Sequence, residues 1–318
     1  MREDYLWDRS GEPDPEVERL EKLLGRFRSD GPAPDLTPRV AEFPRRSWWM
    51  PRWQAIAAGL LLAAAGAWVL TRPVTPAWEV ARLEEGGARQ TGSLAVGQWL
   101  ETGSRSRAKI QVGRIGEVDV EPNTLLRLVA ARWTNHRLAL ERGEIRARIW
   151  APPRLFFVQT PSALATDLGC AYTLKVGDDG AGLLEVTHGR VSFELAGKES
   201  FVVAGARCLT RPGLGPGTPY YTDSTEAFQA SLTKLDFGDG GAGALDVVLG
   251  EARRRDVLTL WHLLARLPET DRGRVFDRMS ALVEIPPEVD REAVLGGDRR
   301  AHQALWDELG LEEAGWWQ

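Results

Sequence analysis

Four patterns of apolar and polar positions follow one another along the chain. The first is a helical stripe near the amino terminus: Val17, Leu20, Leu24 and Phe27, with Leu23 beside them, recur at 3.6-residue spacing. Glu16, Glu18, Arg19, Glu21, Lys22 and Arg26 fill the opposite face, Asp14 supplies a cap, and Pro15 suits the first turn. The second is an unbroken apolar run, Trp53 to Leu70, eighteen residues without a charge. At 1.5 Å per residue it spans about 27 Å, close to the hydrocarbon thickness of a bilayer.

The third pattern, from about Ala77 to Leu209, consists of short alternating runs broken by glycine. Lys109-Ile-Gln-Val, Glu117-Val-Asp-Val, Arg137-Leu-Ala-Leu, Leu184-Glu-Val, Val191-Ser-Phe-Glu-Leu and Phe201-Val-Val each read as a strand with one apolar face. Turns are expected at Gly103-Ser104, Pro122-Asn123, Arg142-Gly143, Gly177 to Gly180 and His188-Gly189. Strands at this spacing predict a sandwich or barrel-like β fold. After a turn-rich connector at 210–222 the helical period returns. Its stripes are Phe228, Leu232 and Leu235; Leu245, Val248 and Leu249; Val257, Leu260, Trp261, Leu264 and Leu267; Val275, Phe276, Met279 and Leu282; and Ala301, Ala304, Leu305 and Leu309. They predict a small helical bundle or repeat-like array.

The expected class is therefore mixed and mainly β. Residues 1–52 form an arm with one amphipathic helix and a proline-rich linker at 29–47. Residues 53–70 form a transmembrane helix, 77–222 a β domain and 223–318 a helical domain. About fifty residues ahead of the apolar run argue against a cleaved signal peptide. A buried core helix is the competing reading, because alanine and glycine dilute the run. Trp48, Trp49, Trp53, Trp68 and Trp78 flank it as interfacial aromatics do. Arg39, Arg45, Arg46 and Arg52 precede it, against Arg72 and Arg82 after it, so the positive-inside rule places residues 1–52 in the cytoplasm and 72–318 outside. An amphipathic helix with no partner in the arm large enough to bury it reads as one that docks on another protein, or else lies on the membrane surface or packs on itself as a hairpin with Tyr5, Leu6 and Trp7.

Composition narrows the chemistry. A net charge of −5 and a pI near 5.6 argue against direct nucleic-acid binding. Cys170 and Cys208 permit a disulfide in an oxidising compartment, closing a loop that would stabilise by roughly 3–4 kcal/mol; two buried small side chains that never meet are the other reading. No tetrahedral ligand spacing is present, so no metal or other cofactor is expected. His136, His188, His262 and His302 are scattered and read as core or surface residues. Asp178 and Asp179 read as a hairpin turn, and Asp119 and Glu121 as the wet face of a strand, so no catalytic residue is assigned. Trp316 and Trp317 read either as a docking element or as a tail folded on its own domain.

One stretch resembles a known family. Gly97-Gln-Trp-Leu-Glu-Thr-Gly103-Ser-Arg-Ser106-Arg-Ala108, then Val120-Glu-Pro122-Asn-Thr124, is similar to the first half of the FecR domain. Leu138-Ala-Leu-Glu-Arg-Gly143-Glu-Ile, Phe157-Val-Gln-Thr160-Pro161, Leu184-Glu-Val-Thr-His-Gly189-Arg-Val and Val203-Ala-Gly205 continue the resemblance over roughly residues 85–210. Gly169-Cys170-Ala-Tyr172 departs from the usual Gly-Thr-x-Phe while keeping the glycine and the aromatic. The resemblance implies a jelly-roll-like antiparallel β domain and a membrane-spanning regulator of an extracytoplasmic-function (ECF) sigma factor. The arm, through Val17, Leu20, Leu24 and Phe27, would hold the sigma factor in the cytoplasm of a bacterium. The outer domain would meet a periplasmic or outer-membrane protein signal. The alternative is an envelope module that binds a glycan or protein and is merely anchored in the lipid bilayer.

Overall fold

The structure, a computed structural model, describes residues 15–25, 77–83, 89–238, 240 and 242–311. The linker at 29–47, the apolar run at 53–70 and the tryptophans at 316–317 lie outside the described residues. Among the described residues no helix is long and apolar enough to cross a membrane. The chain divides into two compact units, residues 1–72 and 73–318. The described element of the first is helix α1, Pro15–Leu24.

The second unit begins with β1 (Ala77–Leu83), β2 (Arg89–Ala95), β3 (Trp99–Glu101), β4 (Arg107–Val112), β5 (Gly116–Val120) and β6 (Leu125–Arg132). It continues with β7 (Asn135–Ile149), β8 (Phe156–Gln159), β9 (Leu164–Asp167), β10 (Ala171–Val176) and β11 (Gly182–His188). Then come β12 (Arg190–Leu195), β13 (Lys198–Val203), β14 (Ala206–Arg211) and the two-residue β15 (Gly215–Pro216) and β16 (Tyr220–Tyr221). One sheet runs β2-β1-β4-β5-β7-β10-β11-β14 and the other β3-β6-β7-β8-β9-β12-β13. Every pairing is antiparallel except β7 with β8, a departure from the all-antiparallel expectation.

Strand β7 belongs to both sheets. Its first half pairs with β6 and β8, its second with β5 and β10. The change of sheet falls at Gly143, whose φ is +96° and where a Cβ would run into Thr124. The expected turn at Arg142-Gly143 is thus a bend inside a continuous strand. Thr124 Oγ1 accepts the Glu144 N–H at 3.0 Å and locks the bend. A residue with a side chain would block that approach and strain the backbone.

Alternation in sequence becomes burial in space. Register aligns Leu128, Leu138, Val158, Ala165 and Phe193 in one row across the second sheet, all buried in the core. The outer face of the first sheet carries charge instead: Lys109 meets Glu117 at 3.0 Å and Asp119 at 3.1 Å, and Arg107 meets Glu121 at 2.8 Å. Pairs this wet contribute at most about 1 kcal/mol each.

Six helices follow: α2 (Glu226–Phe237), α3 (Ala242–Glu251), α4 (Val257–Arg266), α5 (Glu269–Leu282), α6 (Arg291–Leu295) and α7 (Arg299–Glu308). Five coincide with the expected stripes; α6 has five residues, too few for a periodic stripe to show. Thr225, Asp290 and Asp298 cap their helices by accepting backbone N–H groups. In α4 every residue from Val257 to Leu264 is buried, because one side faces β13 and the other the remaining helices. The strands and these helices belong to one compact unit.

Cys170 and Cys208 are free and buried. Cys208 lies opposite Leu184, and Leu184 opposite Leu174, four residues along β10 from Cys170. That offset is about 13 Å along the strand, beyond the roughly 7 Å a disulfide bridges. The two thiols are buried apart, Cys170 beside Asp167 and Cys208 beside Gly217 O.

Candidate functional site: an uncovered helix and a sealed joint

The arm helix α1 presents Leu20, Leu23 and Leu24 at 57%, 52% and 65% exposure. Glu18, Arg19 and Lys22 are exposed as well. The side chain of Val17 and all of Phe27 lie outside the described residues. Covering such leucines on a partner yields roughly 1.5–3 kcal/mol for each one fully buried. The helix offers apolar area and no reactive group.

The residues that carry the family resemblance form clasps at turns. Thr102 Oγ1 donates to Glu121 O at 2.7 Å and accepts the Thr124 N–H at 3.0 Å. Thr160 Oγ1 accepts the Ala163 N–H at 2.9 Å and thereby closes the Thr-Pro-Ser turn. At Gly189 a Cβ would run into the Gly169 carbonyl oxygen. Gly205 has φ +81° and passes its N–H to Val186 O at 2.8 Å. Each of these positions therefore fixes a bend or a close backbone approach.

Asp167 and Cys170 make a second buried cluster at the departure from the family pattern. Cys170 Sγ donates to Asp167 Oδ2 at 2.6 Å, and the Gly169 N–H to Oδ1 at 2.7 Å. Burial pushes the carboxyl up to about 6, offset in part by these donors. Burial, with the Asp167 charge beside it, raises the Cys170 thiol far above its ordinary value, so the thiol stays protonated and unreactive. The carboxylate pairs are tied up too. Asp179 Oδ1 accepts the Ala181 N–H at 3.0 Å in its turn, while Asp119 and Glu121 pair with lysine and arginine on the sheet face.

The joint between strands and helices was invisible to periodicity. Edge strand β13 is sealed by side chains of α4: His262 Nε2 accepts the Phe201 N–H at 3.0 Å, and Arg266 Nη2 donates to Glu199 O at 3.0 Å. His262 Nδ1 lies 2.9 Å from Leu258 O, which assigns the proton to Nδ1. Complete burial holds this histidine neutral, well below its ordinary value. Arg266 also reaches Ser200 Oγ at 2.6 Å and Thr218 Oγ1 at 2.9 Å, with Asp236 at 3.5 Å as counter-charge. Asp236 in turn accepts the Thr218 N–H at 2.6 Å. An open sheet edge is a template for unwanted pairing, and these side chains occupy its backbone groups.

Beside the joint lies a cleft of about 510 Å³, lined among others by Trp261, Arg272, Arg299 and His302. The His302 ring stacks on Trp261 at 4.1 Å, and burial, with Arg272 nearby, lowers its pKa to about 4. His136 is a core residue against Trp78 at 5.8 Å, and His188 is exposed at the end of β11. Among the described residues no three His, Cys, Asp or Glu side chains cluster as metal ligands would. Sequence reasoning missed Arg266 and Asp236; the available signal was a lone arginine ending an otherwise apolar helix, Val257-Leu-Thr-Leu-Trp-His-Leu-Leu-Ala-Arg266.

Strand order and clasps together define a two-sheet, glycine-clasped β domain with helices sealing one edge. Residues 98–192 match the sequence profile of the family described as FecR protein. Two crystal structures of a candidate anti-sigma factor from Parabacteroides distasonis ATCC 8503 are similar at 16% and 15% identity. Each match covers 42% of this chain and 64% of that one, with a TM-score of 0.35. The chain thus spans less than two thirds of that protein's length. No curated protein matches it.

Proposed function

We propose that the chain is a single-pass inner-membrane regulator of an ECF sigma factor, with α1 in the cytoplasm and the FecR domain outside. The observation that carries the reading is the helix whose leucines stand in solvent, on an arm separated from the FecR domain by the apolar run. The FecR match supports it, because the resemblance implies this class of regulator. In this reading α1 holds the sigma factor through Leu20 and Leu24, with Val17 and Phe27 completing the stripe. A periplasmic or outer-membrane protein engages the outer unit and changes whether the arm is free or held.

The test is affinity capture of the tagged full chain from detergent-solubilised membranes, with bound cytosolic proteins identified. Recovery of a sigma factor is expected, reduced at least about tenfold by Leu20→Glu with Leu24→Glu, since two buried charges oppose docking. A chain that recovers no sigma factor overturns the reading. If deleting residues 1–47 leaves function intact, the arm only anchors an envelope-binding module.

A further inference from the structure

One end of the sandwich gathers the start of β1 and three loops. Register sets Val80 opposite Ile110, which brings Ala77 beside the β4–β5 turn at 113–115. In that turn Gly113 approaches the His136 ring, and His136 packs at a tilt against Trp78. The β6–β7 hairpin tip, Trp133-Thr134, is two residues from His136. Trp150, just past the other end of β7, donates its Nε1–H to Arg114 O at 3.0 Å, and its N–H to Ile115 O at 3.0 Å. The His136 N–H reaches Leu155 O at 2.9 Å, so the loop at 150–155 lies at the same end.

This end has an unusual surface. Trp133 is 93% exposed and Trp150 62% exposed, although both are large apolar side chains that a soluble fold ordinarily covers. The segments 113–115, 132–135 and 150–155 contain Arg114, Arg132 and Arg154, all exposed, and no aspartate or glutamate. The far end differs: its turns at 103–106, 121–124 and 177–180 carry Glu121, Asp178 and Asp179 against one arginine, Arg105, and no tryptophan. The ends share one scaffold and differ in their balance of charge.

Tryptophan with arginine, free of carboxylates, is the composition that settles at a lipid headgroup layer. Chain connectivity points the same way. Residues 71–76 separate the apolar run from Ala77, and a stretch of that length reaches at most about 20 Å when fully extended. We propose that this end of the FecR domain rests on an anionic bilayer surface, with Trp133 and Trp150 among the headgroups and the three arginines facing lipid phosphates. The inference rests on the reading that residues 53–70 span the membrane, since the span delivers this end to the surface. The far end, with its acidic turns, then points away from the lipid.

The test uses the full chain with vesicles of phosphatidylglycerol and phosphatidylcholine. An environment-sensitive fluorophore is placed at Thr134→Cys beside Trp133, or at Asp178→Cys as the far-end reference; the buried native cysteines stay unlabelled. Quenching by a spin label carried on the lipid headgroup reads proximity. Quenching at 134 is expected to exceed that at 178 by at least about threefold, and to fall to the reference level in Trp133→Ala with Trp150→Ala. Both tryptophans are exposed, so the double variant should melt with the parent, which separates lost docking from lost folding. Resistance to alkaline carbonate extraction judges the span separately. An extractable chain that still shows the 134 signal sinks the span and keeps the docking surface. Equal quenching at 134 and 178 overturns the proposal and leaves the tryptophans to a protein partner.

Discussion

Helices α1 and α4 are each ten residues long, and both are strongly amphipathic by sequence. In α1 the leucines stand in solvent; in α4 Leu258, Leu260, Leu263 and Leu264 are at most 1% exposed. The difference lies in what surrounds them. Helix α4 has an edge strand on one side and helices on the other, and two of its polar residues, His262 and Arg266, complete backbone groups of β13. Helix α1 has no such surroundings among the described residues. An apolar stripe states a demand for burial, and only a neighbour meets it.

The sharpest way to break the contrast is to disturb the sealed joint. Asp236→Ala leaves Arg266 buried without its counter-charge and should cost about 3–5 kcal/mol, read as a large drop in the denaturant midpoint. Leu260→Ala removes a fully buried side chain from α4 and should cost about 2–5 kcal/mol by the same measurement. Burial lifts the Asp167 pKa from 3.8 to about 6. The folded state therefore holds this proton more tightly than the unfolded chain does. The resulting stability is fully present below pH 3.8 and is lost as pH rises through 6; it amounts to about 3 kcal/mol in total. Asp167→Asn should flatten that part of the stability–pH curve, and an unchanged slope would place the titration elsewhere.

Smaller effects sharpen the comparison. Gly189→Ala puts a methyl against the Gly169 carbonyl at a φ of +68° and should cost about 1–3 kcal/mol, seen as a lowered melting temperature. Leu20→Ala with Leu24→Ala should leave the melting of the larger unit within about 0.5 kcal/mol, because no buried packing is lost. The same pair should weaken capture of the sigma factor proposed to bind the arm. A destabilised larger unit would show that the arm leucines pack against it.

Much of the β domain was legible because alternation is a local property. Glu117-Val-Asp-Val became β5, with Val118 and Val120 inward and Glu117 and Asp119 in ion pairs outside. The helical stripes gave five of the six carboxy-terminal helices for the same reason. Gly143 shows the limit: a glycine after arginine between two apolar runs looks like a hairpin turn, and only the second sheet shows that the strand continues through it. The arm stripe was legible as one apolar helix face, and Leu20 and Leu24 of that face are exposed. The joint was not legible, since Arg266 and Asp236 lie thirty residues apart and nothing local marks them as partners.

The sequence by itself determined which faces are apolar, where glycine and threonine end strands, and the order of arm, apolar run, strands and helices. Those features follow from side-chain period and backbone freedom within a few residues. The tertiary structure alone decided that β7 serves two sheets, that Cys170 and Cys208 stay apart, and that α4 seals an edge while α1 has no cover among the described residues. It also decided that two tryptophans and three arginines share one end. Each of these depends on strand register and packing across long separations, where no period in the chain carries the information.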